Sequence, residues 1–181
     1  RPAEVRAPPG VKAPAEVRTL RLLAYADADY QAHAPDWETR LRDQVGRANA
    51  LLAAQFGIRF DVAVRRWERR DRAGTLDAAL RELGAMERPA GADWVVGFVG
   101  PSSEDAWYDH IGVAERFRPV FVLRAMMSSW ELARIDTAYD TLSEAERLTL
   151  AQERRLHREV VVFLHEWAHT LGAAHECDLK W

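Results

Sequence analysis

Three histidines near the end of the sequence are spaced so that they can meet. In His165-Glu166-Trp167-Ala168-His169-Thr170-Leu171-Gly172-Ala173-Ala174-His175 the first two stand four residues apart. On a helix that spacing places both side chains on one face, about one turn from each other. Gly172 offers the backbone freedom that lets a chain leave a helix, and the turn returns His175 to the same point. Three neutral imidazole nitrogens about 2.0–2.1 Å from zinc leave one tetrahedral position for water, the pattern of a catalytic site. Glu166 follows the first histidine, so its carboxylate lies beside such an ion without having to bind it, ready to act as general base.

With six His and 15 Glu in 181 residues, a chain drawn at random with this composition contains the short His-Glu-x-x-His part roughly once in 60 cases. Adding Gly172 and His175 lowers this to roughly three in 100,000, so it is the long form that carries the argument. An apolar stretch, Val160 to Leu164, leads into it, as a helix lining a buried site requires.

The elements that must position this segment can be read upstream. Residues 1–18 hold Pro2, Pro8, Pro9, Gly10 and Pro14, a density that favours an extended linker or leader arm. Leu20 to Tyr25 suits a buried strand. Asp36 is the expected N-cap of a helix carrying Leu41, Val45, Ala48, Leu51, Leu52 and Phe56, which Gly57 ends. Ile58, Phe60, Val62 and Val64 alternate as a strand. Gly74 and Thr75 open a second helix with Leu76, Leu80, Leu83 and Met86 along one side. Trp94 to Val99, Ile111 to Ala114 and Val120 to Leu123 are three further strands, the middle one short enough for an edge. From Ser143 the pattern is helical, with Glu146 at capping-box spacing and a break expected around Arg154 to Leu156. The order β-α-β-α-β-β-β-α predicts an α/β fold with a mostly parallel twisted sheet and one antiparallel member of the last strand pair.

The His-Glu-x-x-His-x-x-Gly-x-x-His signature and this element order resemble the metzincin clan of zinc endopeptidases. The resemblance runs from about Thr19 to His175, with the motif as its specific part. It implies an upper subdomain with a five-stranded twisted mixed sheet and two long helices before the zinc-binding helix. It assigns His165, His169 and His175 as ligands of one catalytic Zn²⁺ and Glu166 as the base. It further implies that Gly112, Val113 and Ala114 form the antiparallel edge strand on which a polypeptide substrate lies extended. Glu176 is similar to the astacin branch, and a cation-binding loop at Asp105, Asp109 and His110 would be similar to some matrixins. Metzincins continue past the third histidine into a lower subdomain whose turn carries a Met beneath the metal. Here Met86, Met126 and Met127 all lie upstream, so residues 19–181 are expected to be the upper part of a longer catalytic domain.

Composition narrows the classes. Hydrophobic residues make up 48% and charged residues 29%, the balance of an ordinary globular protein, and the apolar run into the motif is far below the ~20 residues that span a bilayer. A net charge of −3 gives no overall field for nucleic acid. The single cysteine, Cys177, excludes an internal disulfide and a Cys-rich zinc cluster. Arg65, Arg66, Arg69, Arg70 and Arg72 are interrupted by Glu68 and Asp71, and read as a solvated loop after a strand rather than a polyanion contact. Scattered surface acids are the plainer account of Asp105 and Asp109, and a packing residue that of Cys177. His33 and His157 read as surface or packing residues, and the insertion Ser128 to Leu142, with Trp130 and Tyr139, carries no motif.

The expectation is therefore a zinc-dependent endopeptidase, secreted or in the cell envelope. The competing class is a zinc-holding, catalytically poor interaction module, which needs no Met-containing turn after Trp181. A metal-free α/β scaffold is the third, which zinc analysis would expose.

Overall fold

The computed structural model describes residues 14, 16–72, 75–101 and 111–175. Ten elements follow in order: β1 (Arg18–Asp27), α1 (Ala28–His33), α2 (Trp37–Phe56), β2 (Ile58–Trp67), α3 (Leu76–Ala85), β3 (Trp94–Val99), β4 (Gly112–Ala114), β5 (Val120–Arg124), α4 (Ser128–Ala138) and α5 (Glu144–Thr170). The five strands form one sheet in the order β2-β1-β3-β5-β4. Neighbours are parallel except β4, which runs antiparallel to β5 at one edge. This is the α/β architecture that the strand order predicts.

Both faces of the sheet are covered, because successive strand residues point to opposite sides. Leu22, Ala24, Val96, Phe98, Phe121 and Leu123 face α2 and α5, meeting Leu41, Val45, Ala48, Leu52, Val160, Phe163 and Trp167. Leu23, Val95, Val99, Val120 and Val122 face the other way, onto Leu76, Ala79 and Leu83 of α3. The outer edge of β2 is blunted rather than left open to another strand. The Asn49 side chain donates to the Phe60 carbonyl at 2.8 Å and accepts from its N–H at 2.7 Å, and Arg42 reaches the Val62 carbonyl at 3.2 Å.

Several expectations need correction. No break occurs at Arg154–Leu156: α5 is one helix of 27 residues. Nothing between Glu144 and Thr170 is Gly or Pro, and flanking side chains hold that stretch. Arg154 and Arg158 pair with the buried Glu131 of α4 at 3.3 and 3.0 Å, while Glu159 pairs with Arg40 of α2. The capping box at Ser143 and Glu146 does form. Helices α1 and α4 were not expected; α1 is started by Asp27, whose carboxylate accepts from the Tyr30 N–H at 2.8 Å. Arg69 is buried, not a solvated loop residue, because it pairs with Asp27 at 3.2 Å. Trp67 closes β2 inside the second core. Met86 lies just past the end of α3 and is exposed. Strand β1 begins at Arg18, inside the stretch read as linker; residues 1–13, Gly74, Asp105, Asp109, His110, Glu176, Cys177 and Trp181 lie outside the described residues. Among the described residues no helix is long and apolar enough to cross a membrane.

Candidate metal centre

The rotation of α5 about its axis decides where its histidines point. Phe163 and Trp167 are buried against Phe60, Phe121 and Trp94, with ring centroids 5.3 to 6.2 Å apart. At 3.6 residues per turn, a residue two positions from Trp167 points about 200° away from it. Both His165 and His169 satisfy that relation, so the aromatic anchor turns the pair together to the side of the helix opposite Trp167, where His165 is exposed and His169 buried. The helix end is pinned as well: Trp94 Nε1 donates to the Thr170 hydroxyl at 2.9 Å, and that hydroxyl donates to the Trp167 carbonyl at 2.6 Å.

The chain then leaves α5 through a Schellman turn. The Ala173 N–H donates to the Ala168 carbonyl at 3.1 Å and the Gly172 N–H to the His169 carbonyl at 2.9 Å. Gly172 holds φ +96°, the left-handed region that the sequence reading required of it. The turn delivers His175, and the Nε2 atoms of His165, His169 and His175 stand 3.0 Å from one another in all three pairs. The His165 and His175 rings lie nearly parallel, and the His169 ring stands edge-on to both. Among the described residues this is the one group of three metal-ligating side chains so gathered.

The donor set fits a metal ion. Tetrahedral ligand nitrogens 2.0–2.1 Å from one zinc-sized ion stand about 3.3 Å apart, within a few tenths of the separation seen here. His169 Nδ1 lies 2.7 Å from the Ala173 carbonyl, which can only accept, so the proton sits on Nδ1 and Nε2 presents a lone pair. Each ring nitrogen directs one in-plane lone pair or N–H, so three of them cannot satisfy one another around a triangle; a cation at their common focus can. Burial, with the neighbouring His169 and His175 rings, holds the His165 imidazole below its ordinary range.

Glu166, the next residue along α5, is buried. Burial pushes its carboxyl up to about 7, with His169 opposing the shift. It faces β4. A β-carbon on Gly112 would stand 2.5 Å from Glu166 Cγ and 2.7 Å from Oε1, so the carboxylate occupies the space a side chain at 112 would need. The sequence assigned Gly112 to substrate alone and missed this role. Trp94, Thr170 and Phe117 were missed too; an aromatic residue in the otherwise charged stretch Glu115-Arg116-Phe117-Arg118 was the available signal for the last. Edge strand β4 lies where expected. Since the Arg124 N–H donates to the Ile111 carbonyl at 2.9 Å, antiparallel alternation turns Val113 toward β5 and the backbone groups of Gly112 and Ala114 outward.

No protein-family model matches the chain, and no curated protein sequence matches it. Among solved structures it is similar to the crystal structure of archaemetzincin from Methanopyrus kandleri, with a TM-score of 0.53 and 19% identity, over 87% of this chain and 76% of that one. The chain thus shares its α/β fold with archaemetzincin, and in this chain that fold gathers three histidines into one cluster.

Proposed function

We propose that the chain is a zinc-dependent endopeptidase in which His165, His169 and His175 hold one zinc ion and Glu166 moves the proton. The observation that carries this reading is the mutual 3.0 Å approach of the three Nε2 atoms. The likeness in fold to archaemetzincin supports it. Zinc bound there supplies Lewis-acid polarisation of the scissile carbonyl and an acidified water. Glu166 takes a proton from the attacking water and delivers it to the departing amine. An extended polypeptide pairs with the outward backbone of Gly112 and Ala114, recognition that makes few demands on side chains. Such an enzyme belongs among secreted or cell-envelope proteins.

The test is zinc content and peptide hydrolysis of the wild type beside Glu166→Gln. We expect equal zinc and a loss of about 10²–10⁴ in rate. Undiminished hydrolysis by the zinc-loaded variant contradicts the proton role. Zinc without hydrolysis in the wild type favours the interaction-module reading instead.

A further inference from the structure

Phe117 is the one non-glycine residue among those described with a positive φ, at +62°, a value that marks a real outlier for a bulky side chain. The residue as a whole is also 78% exposed. Glycine or asparagine would take that backbone readily and expose no aromatic surface. Such an outlier asks what the conformation delivers.

The turn around it is closed on itself. The Arg118 N–H donates to the Glu115 carbonyl at 3.2 Å, and the two side chains pair at 2.8 Å. What the turn presents is the ring, and the ring lies against Gly172. A β-carbon built on Gly172 would stand 2.7 Å from Phe117 Cζ and 3.3 Å from Cδ1, with Cε1 closer still. Gly172 is the left-handed residue of the turn that ends α5, three positions before His175. The carbonyl of the next residue, Ala173, accepts from His169 Nδ1. The ring therefore bears on the short backbone span that joins the second histidine of the cluster to the third, and it comes from the hairpin next to Glu166.

We infer that Phe117 is a positioning residue for the third metal ligand: its ring braces the Gly172 turn so that His175 Nε2 meets the other two nitrogens. This rests on the three histidines holding zinc. Loss of the ring leaves the turn held, among the described residues, only by its hydrogen bonds to Ala168 and His169, with the packing on its outer side gone, and the cost falls on metal affinity through His175. Supporting groups around metal ligands typically carry 10–100-fold in affinity.

The experiment measures zinc dissociation constants of the full chain by chelator competition, with melting of the metal-free forms as a check on folding. Phe117→Gly and Phe117→Ala should each weaken zinc roughly 10–100-fold, while Phe117→Tyr, which keeps the ring, binds as the wild type does. Metal-free Phe117→Gly should melt no lower than the wild type, since glycine relieves the strained φ. In a His175→Ala background, Phe117→Gly should have no further effect, because the ligand it acts through is gone. Wild-type affinity in Phe117→Gly overturns the inference, as does an equal loss with and without His175. A wild-type chain that binds no zinc overturns the metal reading itself, and this inference with it.

Discussion

Glu166 and Gly112 fit together as carboxylate and vacant space: the edge strand has no side chain where the Glu166 carboxyl lies, and a β-carbon there would stand 2.7 Å from Oε1. The strand proposed to carry substrate is therefore also the wall against the carboxyl proposed as the base. Gly112→Ala should bind zinc normally but push the carboxylate aside. Misplacement by about 1 Å can cost about 10²-fold, so kcat/KM for peptide hydrolysis should fall by about that factor. Full activity in Gly112→Ala would show that the contact does not place the base.

The outward and inward residues of β4 should separate on substitution. Pro at Ala114 removes an N–H that faces away from β5, and edge positions tolerate Pro. Ala114→Pro should thus keep the fold and raise KM for extended peptides. Val113→Pro instead removes an N–H directed at Val122 and should lower the melting temperature. Reversed behaviour of the two variants in parallel melting and kinetic measurements would mean that the peptide pairs elsewhere.

Thr170→Val keeps shape and removes a hydroxyl that serves Trp94 Nε1 and the Trp167 carbonyl. An orphaned partly buried donor costs about 1 kcal/mol or more, which denaturant unfolding would resolve. Zinc affinity should fall with it, because this link pins the turn of α5 that carries His169. A Thr170→Val chain as stable as the wild type would show that the link contributes nothing.

Glu131 is buried between Arg154 and Arg158, which are themselves partly exposed. Water can therefore take up both guanidinium groups once their partner is lost, and the cost stays below that of breaking a fully buried pair. Glu131→Gln should destabilise the fold by about 1–2 kcal/mol and leave zinc affinity unchanged, since α4 is distant in sequence from the ligands and packs on the N-terminal part of α5. Equilibrium unfolding beside zinc titration checks both halves. A loss of metal binding would mean that α4 reaches the site.

These variants also mark what was legible beforehand. Periodicity located β1, α2, β2, α3, β3 and β5, because apolar spacing records which face is buried. The histidines were legible because helix geometry alone brings positions 165 and 169 together. The continuity of α5 was not, since it depends on ion pairs with Arg40 of α2 and Glu131 of α4, which lie 23 or more positions away in the chain from their partners. Arg69 looked like one of five loop cations and is buried because Asp27, 42 positions earlier, waits for it. Gly112 and Phe117 share that character: each is meaningful only through a residue on α5 or its exit turn, a relation with no local signature.

X-ray absorption at the zinc edge of the metal-loaded chain tests the central claim most directly, because it reads the ligand atoms themselves. The account predicts three imidazole nitrogens at about 2.0–2.1 Å with the remaining scattering from a light oxygen. Replacing His175 by Ala should reduce the imidazole count by one. A sulfur at about 2.3 Å, or a wild-type imidazole count that His175→Ala leaves unchanged, would contradict the three-histidine site.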